Sequence, residues 1–487
     1  MSQSSSLPPD GAAARARQTE YRLHGNMSTL QLGFAVLAYN APLAVLATVT
    51  VLVIGFGIGI GAPLLFIALG LLMGLFAVGY TVMSRHLPHP GAFYSYITAG
   101  LGRPLGLGSS FVAMLSYTIA MIAALIFTSN AIEMLVHTTF HGPDITWWVW
   151  ALAFVATVAI LGYRRVDVSA KLLGILLSLE FLIVVVWDTL VIGSRGAAGQ
   201  LTFSSFSPHV ALSGSVSVGL IFAVTCFSGF EATAIFRDEV RDPEKTVPRA
   251  TYLTIVILTI FYSVSSWAIV QALGEHDAIS AIAADPLNVF FNMVTKYLGT
   301  IGFHLVNMLI ITGGFAGMMA YHNVLSRYIY SLGIDGILPR AIGVPHPRLR
   351  SPHRASLLLS TLTGLGIIGI TLSGAAPSDV FVQLNGITGY SFVILFALAA
   401  IGIAAYLGRN RLAGLSLWQR LVAPSAAAIL ITIIACMATS RIDLLTNSPV
   451  LSTVALGLTF GSVLAGVILA LVFRALKPEV FARIGRQ

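Results

Sequence analysis

Apolar residues run through this chain in long blocks, separated by short polar stretches rich in arginine, glycine and proline. A block of about 20 apolar residues crosses the hydrocarbon of a bilayer as one helix. Such blocks predict helices over 31–54, 62–83, 105–129, 147–163, 170–192, 215–237, 251–272, 299–322, 355–373, 380–407, 420–439 and 450–473. The expected fold class is therefore all-α and transmembrane, with about twelve helices.

Composition makes lipid the only workable solvent. Of 487 residues, 56% are hydrophobic and 9% charged, against about 25% charged in a soluble domain. No soluble fold of this size could hide so much apolar surface. The two cysteines, Cys226 and Cys436, lie inside apolar blocks, so no disulfide framework is expected. Residues 1–27 are rich in Ser, Ala, Gln and Arg with two prolines, which predicts a disordered cytoplasmic tail. They lack the apolar core and small-residue cleavage site of a removable signal peptide.

The net charge of +8 would suit a nucleic-acid partner, but its distribution has another cause. With the N-terminus in the cytoplasm, 24 of the 27 lysines and arginines fall on the cytoplasmic side, and only Arg195, Lys296 and Arg441 fall outside. A wrong helix count would scramble this separation. The positive-inside rule thus predicts twelve spans in the plasma (inner) membrane with both termini cytoplasmic, and no nucleic acid is needed. The basic C-terminal end, with Arg474, Lys477, Arg483 and Arg486, carries that same signal.

Two spans are interrupted. The first holds Ala38-Tyr39-Asn40-Ala41-Pro42-Leu43 near its middle. Proline removes a backbone hydrogen bond and clashes with the preceding turn, at a cost of about 3 kcal/mol in an ordinary helix. In hydrocarbon such a break is tolerated where it lines a cavity; a simple packed kink is the alternative. The sixth span holds Cys226-Phe227-Ser228-Gly229-Phe230-Glu231. An intramembrane acid is a functional candidate by default, unless Glu231 only braces the break through backbone amides. The interruptions stand five spans apart, as expected of an inverted repeat of five plus five helices. The repeats would be 28–192 and 213–407, with spans eleven and twelve and a cytoplasmic tail in 408–487. Half-helix N-termini in such a design meet a carboxylate, and freed carbonyls meet an ammonium. An amino acid carries both groups.

Several motifs resemble the amino acid–polyamine–organocation family of permeases, over nearly the whole chain. Ser228-Gly229-Phe230-Glu231, then Asp238-Glu239-Val240-Arg241-Asp242-Pro243 and Val247-Pro248-Arg249-Ala250, are similar to that family's signature after its sixth span. Ser326-Arg327 with Gly333-Ile334-Asp335-Gly336-Ile337-Leu338-Pro339 resembles its second cytoplasmic signature, and Ser351-Pro352 stands where Thr-Pro is usual. Leu87-Pro88 and Gly91-Ala92-Phe93-Tyr94-Ser95-Tyr96 resemble the stretch after span two. The first break departs from the family, with Asn40-Ala41-Pro42 where many members have Gly-Ser-Gly.

The resemblance implies a leucine-transporter-like fold that rocks a four-helix bundle against a scaffold in alternating access. It implies a substrate site between Tyr39, Asn40, Ala41 and Pro42 of span one and Phe227, Ser228, Gly229 and Phe230 of span six, walled by spans three, eight and ten. Phe227 or Phe230 would gate it, unless either is ordinary core packing. Tyr117 in span three and Asn385 in span ten are further candidates.

The family's sodium site would need hydroxyls from span eight, and Gly313 to His322 offers no Ser or Thr. In span five, Glu180 stands where some sodium-independent relatives place a lysine. A carboxyl group taken out of water favours its neutral form, which suits a proton carrier; hydrogen bonding to neighbouring hydroxyls is the structural alternative. The proton is thus the expected coupling ion, with Glu180 and Glu231 as coupling candidates. Asp188 is expected near the outer face, against water or headgroups, and His322 either titrates or braces a helix end.

No further acids cluster centrally, so a neutral or broadly specific amino acid is the expected substrate. A polyamine such as putrescine, or amino acid exchange, is the alternative. No His-Glu-x-x-His pattern and no Gly-x-x-x-x-Gly-Lys-Ser/Thr loop occurs, which argues against a metalloenzyme and an ATP-driven pump. No cofactor or metal is expected. An amino-acid-binding membrane sensor is the alternative outside the transporter class.

Overall fold

A computed structural model describes residues 27–87, 92–164, 170–235, 237, 240–349, 351–410, 412–443 and 449–485. The expected tail up to residue 26, residues 88–91, Asp238, Glu239 and the side chain of Tyr39 lie outside the described residues. The last residue of the expected tail, Met27, is tethered. It pairs with Val240, and its carbonyl accepts the Arg241 N–H at 3.4 Å.

Every backbone polar group in hydrocarbon must find its partner within the protein, and the helix does this locally. The first interrupted segment comprises α1 (Thr29–Asn40) and α2 (Pro42–Val45), the latter continuing in wider π-type turns through Leu46–Thr50 and Val53–Ile58. Then come α3 (Ala62–His86), α4 (Ala92–Leu101), α5 (Arg103–Phe140), α6 (Trp147–Tyr163) and α7 (Ala170–Ala197). The second interrupted segment is α8 (Val216–Thr225) and α9 (Ala232–Ile235). After these come α10 (Pro243–Leu273), α11 (Val289–Ile334), α12 (His353–Ser373), α13 (Pro377–Arg409), α14 (Ala423–Ser440) and α15 (Pro449–Leu476), followed by a short helix over Pro478–Arg483.

Among the described residues, nine helices are long and apolar enough to cross a membrane, and Trp147–Tyr163 and Val216–Thr225 are shorter apolar helices. The longest stretches contain backbone breaks. Pro42–His86 is interrupted at Gly57 and Gly59, the latter at φ 72°. Val289–Ile334 is kinked at Gly299, φ 67°, which is where the eighth apolar block was expected to begin.

Large apolar side chains cover the outside: Ile301 is 77% and Leu372 82% exposed. Lipid accepts such a surface, whereas water would not. Hydroxyl groups enter these helices by bonding to their own backbone. Thr81 Oγ1 donates to Ala77 O at 2.8 Å and Ser116 Oγ to Val112 O at 2.7 Å. Lipid tails are as apolar as leucine, so helix association relies on close packing through small residues. A Cβ at Gly100 of α4 would run into the backbone of Gly402 in α13, and one at Gly466 of α15 would lie 2.7 Å from the Gly108 Cα of α5.

Candidate functional site

The first break turns on Ala41. Its φ of 48° and ψ of 66° are left-handed, a conformation that costs a non-glycine residue about 1 kcal/mol or more. Pro42 then occupies the first position of α2, where its fixed φ suits a helix start and its missing N–H costs nothing. Proline therefore begins a new half-helix here rather than bending an old one. The last carbonyls of α1 and first N–H groups of α2 lose their intrahelical partners. One of those, the Leu43 N–H, donates to Glu180 Oε2 at 3.4 Å.

The second break follows α8, with Gly229 at φ 105°. Glu231 braces it: Oε2 accepts the Gly229 N–H at 2.8 Å, and Oε1 accepts the Tyr117 hydroxyl at 2.7 Å. The Glu231 carbonyl accepts from Tyr80 at 2.6 Å. Asn40 ties the two breaks together. Its Nδ2 donates to Cys226 O at 3.1 Å and Ser228 O at 2.6 Å, and its Oδ1 accepts from the Tyr262 hydroxyl at 2.7 Å. Both carbonyls can only accept, so they fix which end of the amide faces them.

A cavity of about 100 Å³ lies beside these breaks. Asn40, Ala41, Thr48, Thr225 and Ser228 line it from the interrupted segments. Phe127 and Thr128 of α5, Gly314, Gly317 and Tyr321 of α11, and Phe381, Asn385, Thr388 and Phe392 of α13 complete the wall. No charged side chain is among the lining residues. Aromatic rings bound it at both ends. On one side Phe127 stacks on Phe291 and Phe381, each at 5.8 Å between ring centres. On the other, Tyr117 lies 5.7 Å from Tyr321 and 5.1 Å from Phe392. Two larger grooves, of about 300 and 440 Å³, involve α1, α7 and α10, and α3 and α10. They are lined mainly by apolar side chains, including the exposed Leu30 and Leu71. The central cavity is where polar groups converge, and is the better candidate.

Asn40, Ala41, Ser228 and Asn385 reach this cavity, while Pro42 and Gly229 shape the breaks behind it. Tyr117 sits under the floor. Phe227 and Phe230, the expected gates, are both fully buried away from it. Phe230 packs against Phe76, Tyr80 and Phe396 at 5.7–6.1 Å. A ring beside a break can turn either way, and here core packing takes both. Glu180, 4% exposed, lies against Gly313 of α11, where a Cβ would collide with its carboxylate.

Asp188 is not at a headgroup surface. It is 7% exposed, and its Oδ2 accepts from Ser265 of α10 at 2.8 Å. His322 is buried with Nε2 3.0 Å from Ser360 Oγ, joining α11 to α12. Sequence reasoning missed Tyr262, Thr128 and Thr388. Thr388 is 3% exposed, and its Oγ1 has no hydrogen-bond partner among the described residues; such a group in a cavity wall is ready to bind a polar guest. A hydroxyl in an apolar block was its only signal. Among the described residues no three His, Cys, Asp or Glu side chains could hold a metal ion.

Residues 41–477 match the model of a family described as amino acid permease. The chain is similar to the low-affinity putrescine importer PlaP of Escherichia coli strain K12, 24% identical over 329 residues, which is 64% of this chain and 70% of that protein. It is similar to the branched-chain amino acid permease BcaP of Lactococcus lactis, 22% identical over 69% of this chain and 72% of the relative. It is also similar to the L-asparagine permease of Salmonella typhimurium, 25% identical over 66% and 64% respectively.

Proposed function

The chain belongs to the amino acid permease family, and from that premise we propose that it carries small neutral amino acids across the plasma membrane by proton-coupled alternating access. In this reading both termini are cytoplasmic and twelve spans form. The segments before and after the breaks at Gly57 and Gly59 cross separately, and the short α6 and the interrupted α8–α9 make up the count. The first ten spans form a five-plus-five inverted repeat.

The observation that carries the substrate class is the cavity between two helix breaks. The C-terminal carbonyls of α1 suit an ammonium, and the N-terminal ends of the second half-helices suit a carboxylate. The volume, about 100 Å³, is below the roughly 150 Å³ of a cavity that admits benzene, which favours a short side chain. The putrescine importer among the relatives favours a diamine instead. Against it, no carboxylate lines the cavity, and Glu231 already accepts two hydrogen bonds. The aromatic layers on either side are the gates: Phe127 and Phe381 on the outer side, Tyr321 and Phe392 on the inner.

For coupling, Glu180 is the chosen acid. It meets α2 at Leu43 and α11 at Gly313, the two elements between which a cation of the family's sodium type would sit. The glycine leaves room there for a carboxyl group that takes and releases a proton as the helices part. Reconstituted protein should accumulate labelled L-alanine and L-serine, and L-leucine less strongly, when the outside is made acidic. Glu180→Gln should lower that accumulation at least about tenfold, since a positioned proton carrier is worth that much or more where proton transfer limits. An unchanged dependence on the proton gradient in Glu180→Gln would remove this acid from coupling. Accumulation of labelled putrescine and none of the amino acids would replace the substrate.

A further inference from the structure

Glu180 leaves a second buried acid unexplained. Asp188 lies eight residues further along α7, about 12 Å of helix rise, on the side that carries buried Val184, Trp187 and Val191. Its Oδ2 accepts from Ser265 Oγ at 2.8 Å, and its Oδ1 has no hydrogen-bond partner among the described residues. A fixed, half-satisfied carboxylate is strongly disfavoured in hydrocarbon, whereas an acid that binds a proton avoids that penalty.

Its surroundings offer no fixed countercharge. On its own helix, Arg195 bonds to Gln200 Oε1 at 2.7 Å and to Ala272 O. From α11, Lys296 donates to Ala272 O at 3.4 Å, and His304 pairs with Thr139 at 2.8 Å. From α10, the nearby titratable group is Tyr262, three residues before Ser265. From the first interrupted segment no described acid or base faces it. None of these side chains forms an ion pair with Asp188 among the described residues.

Polar groups do, however, lead inward. Ser265 holds Asp188. One turn back along α10, Tyr262 donates to Asn40 in the first break. Three residues after Asn40, the Leu43 N–H donates to Glu180. We propose that Asp188 is the outer proton station of the transport cycle, taking the proton at the Arg195 end of α7 and delivering it toward Glu180 along the Ser265–Tyr262 edge of α10. The assignment rests on Glu180 as the coupling acid. Only a proton moves: it leaves water for the Asp188 carboxylate, which becomes the neutral acid, and the carboxylate is regenerated when the proton passes inward.

The test compares two rates in the same liposomes: accumulation of labelled L-alanine, L-serine and L-leucine under an inward proton gradient, and their exchange against preloaded unlabelled amino acid. Asp188→Asn should lower the ratio of accumulation to exchange at least about tenfold, and Asp188→Glu should restore most of it. Two outcomes overturn the outer station: Asp188→Asn with the native ratio, or both variants losing accumulation and exchange in parallel, which marks a packing residue. Glu180→Gln measured alongside separates the two assignments. If it keeps the native ratio, Glu180 falls and the route falls with it. If it loses the ratio while Asp188→Asn keeps it, only the outer station is withdrawn.

Discussion

Asn40→Leu is expected to abolish transport, by about a hundredfold or more. Leucine is close to asparagine in size and suits a membrane interior, so simple packing would predict a mild effect. The hydrogen bonds say otherwise. Leucine strands the carbonyls of Cys226 and Ser228 and the hydroxyl of Tyr262, all buried. Each stranded buried group costs about 1–3 kcal/mol. Three of them amount to several kcal/mol, and every 1.4 kcal/mol is about tenfold in a population. That penalty falls on the arrangement of the two breaks relative to each other, which is the site itself. Asn40→Asp should fail as well, since it gives up both N–H donors and adds a charge. Initial uptake rates and thermal melting of purified protein are the measurements. Asn40→Leu that transports at more than half the native rate with an unshifted Tm would show that the cross-link holds nothing together.

Gly389→Leu is the second large effect, and it acts on assembly. Gly389 of α13 meets the Ile221 carbonyl of α8, and even a single Cβ would collide with that oxygen and lie 2.9 Å from its carbon. The obstacle is backbone, which cannot turn aside as a side chain can. Overpacking of this kind costs about 1–3 kcal/mol and sometimes more. Gly389→Ala should lower Tm and weaken substrate affinity, because a displaced α8 carries Thr225 and Ser228 out of the cavity wall. Gly389→Leu should yield little folded protein by gel filtration in mild detergent. Native Tm and uptake in Gly389→Ala would mean that the two helices move apart without consequence.

Both effects depend on contacts between distant parts of the chain, and this is where sequence reading had least to offer. The apolar blocks were legible because hydropathy is a local sum, and in lipid one run of apolar side chains is enough to make a helix. The blocks at 147–163 and 299–322 correspond to α6 and to α11 after its kink at Gly299. The breaks were legible because Asn-Ala-Pro and Ser-Gly interrupt those runs. Their conformations were less so: that Ala41 takes the left-handed turn while Pro42 starts a half-helix depends on what surrounds them.

Side-chain destinations were the hardest part. Phe227 and Phe230 flank a break as a gate would, yet the rings that border the cavity are Phe127, Phe381, Tyr321 and Phe392. Asp188 reads as an interfacial acid from its distance to the block's end, but α10 covers it and supplies Ser265. Rotation of each helix about its own axis decides such matters, and that rotation is set by where neighbours can approach.

By itself, then, the sequence determined that the chain is helical and lives in lipid, where its helices break, and which permease motifs it carries, since each of these is written within one local stretch. The tertiary structure decided that Asn40 bonds to the carbonyls of the second break, that Gly313 makes room for Glu180, and that Thr388 faces the cavity. Those outcomes join residues up to 188 positions apart. They follow from the close approach of helices at small residues, a property of pairs of helices that no single stretch of chain contains.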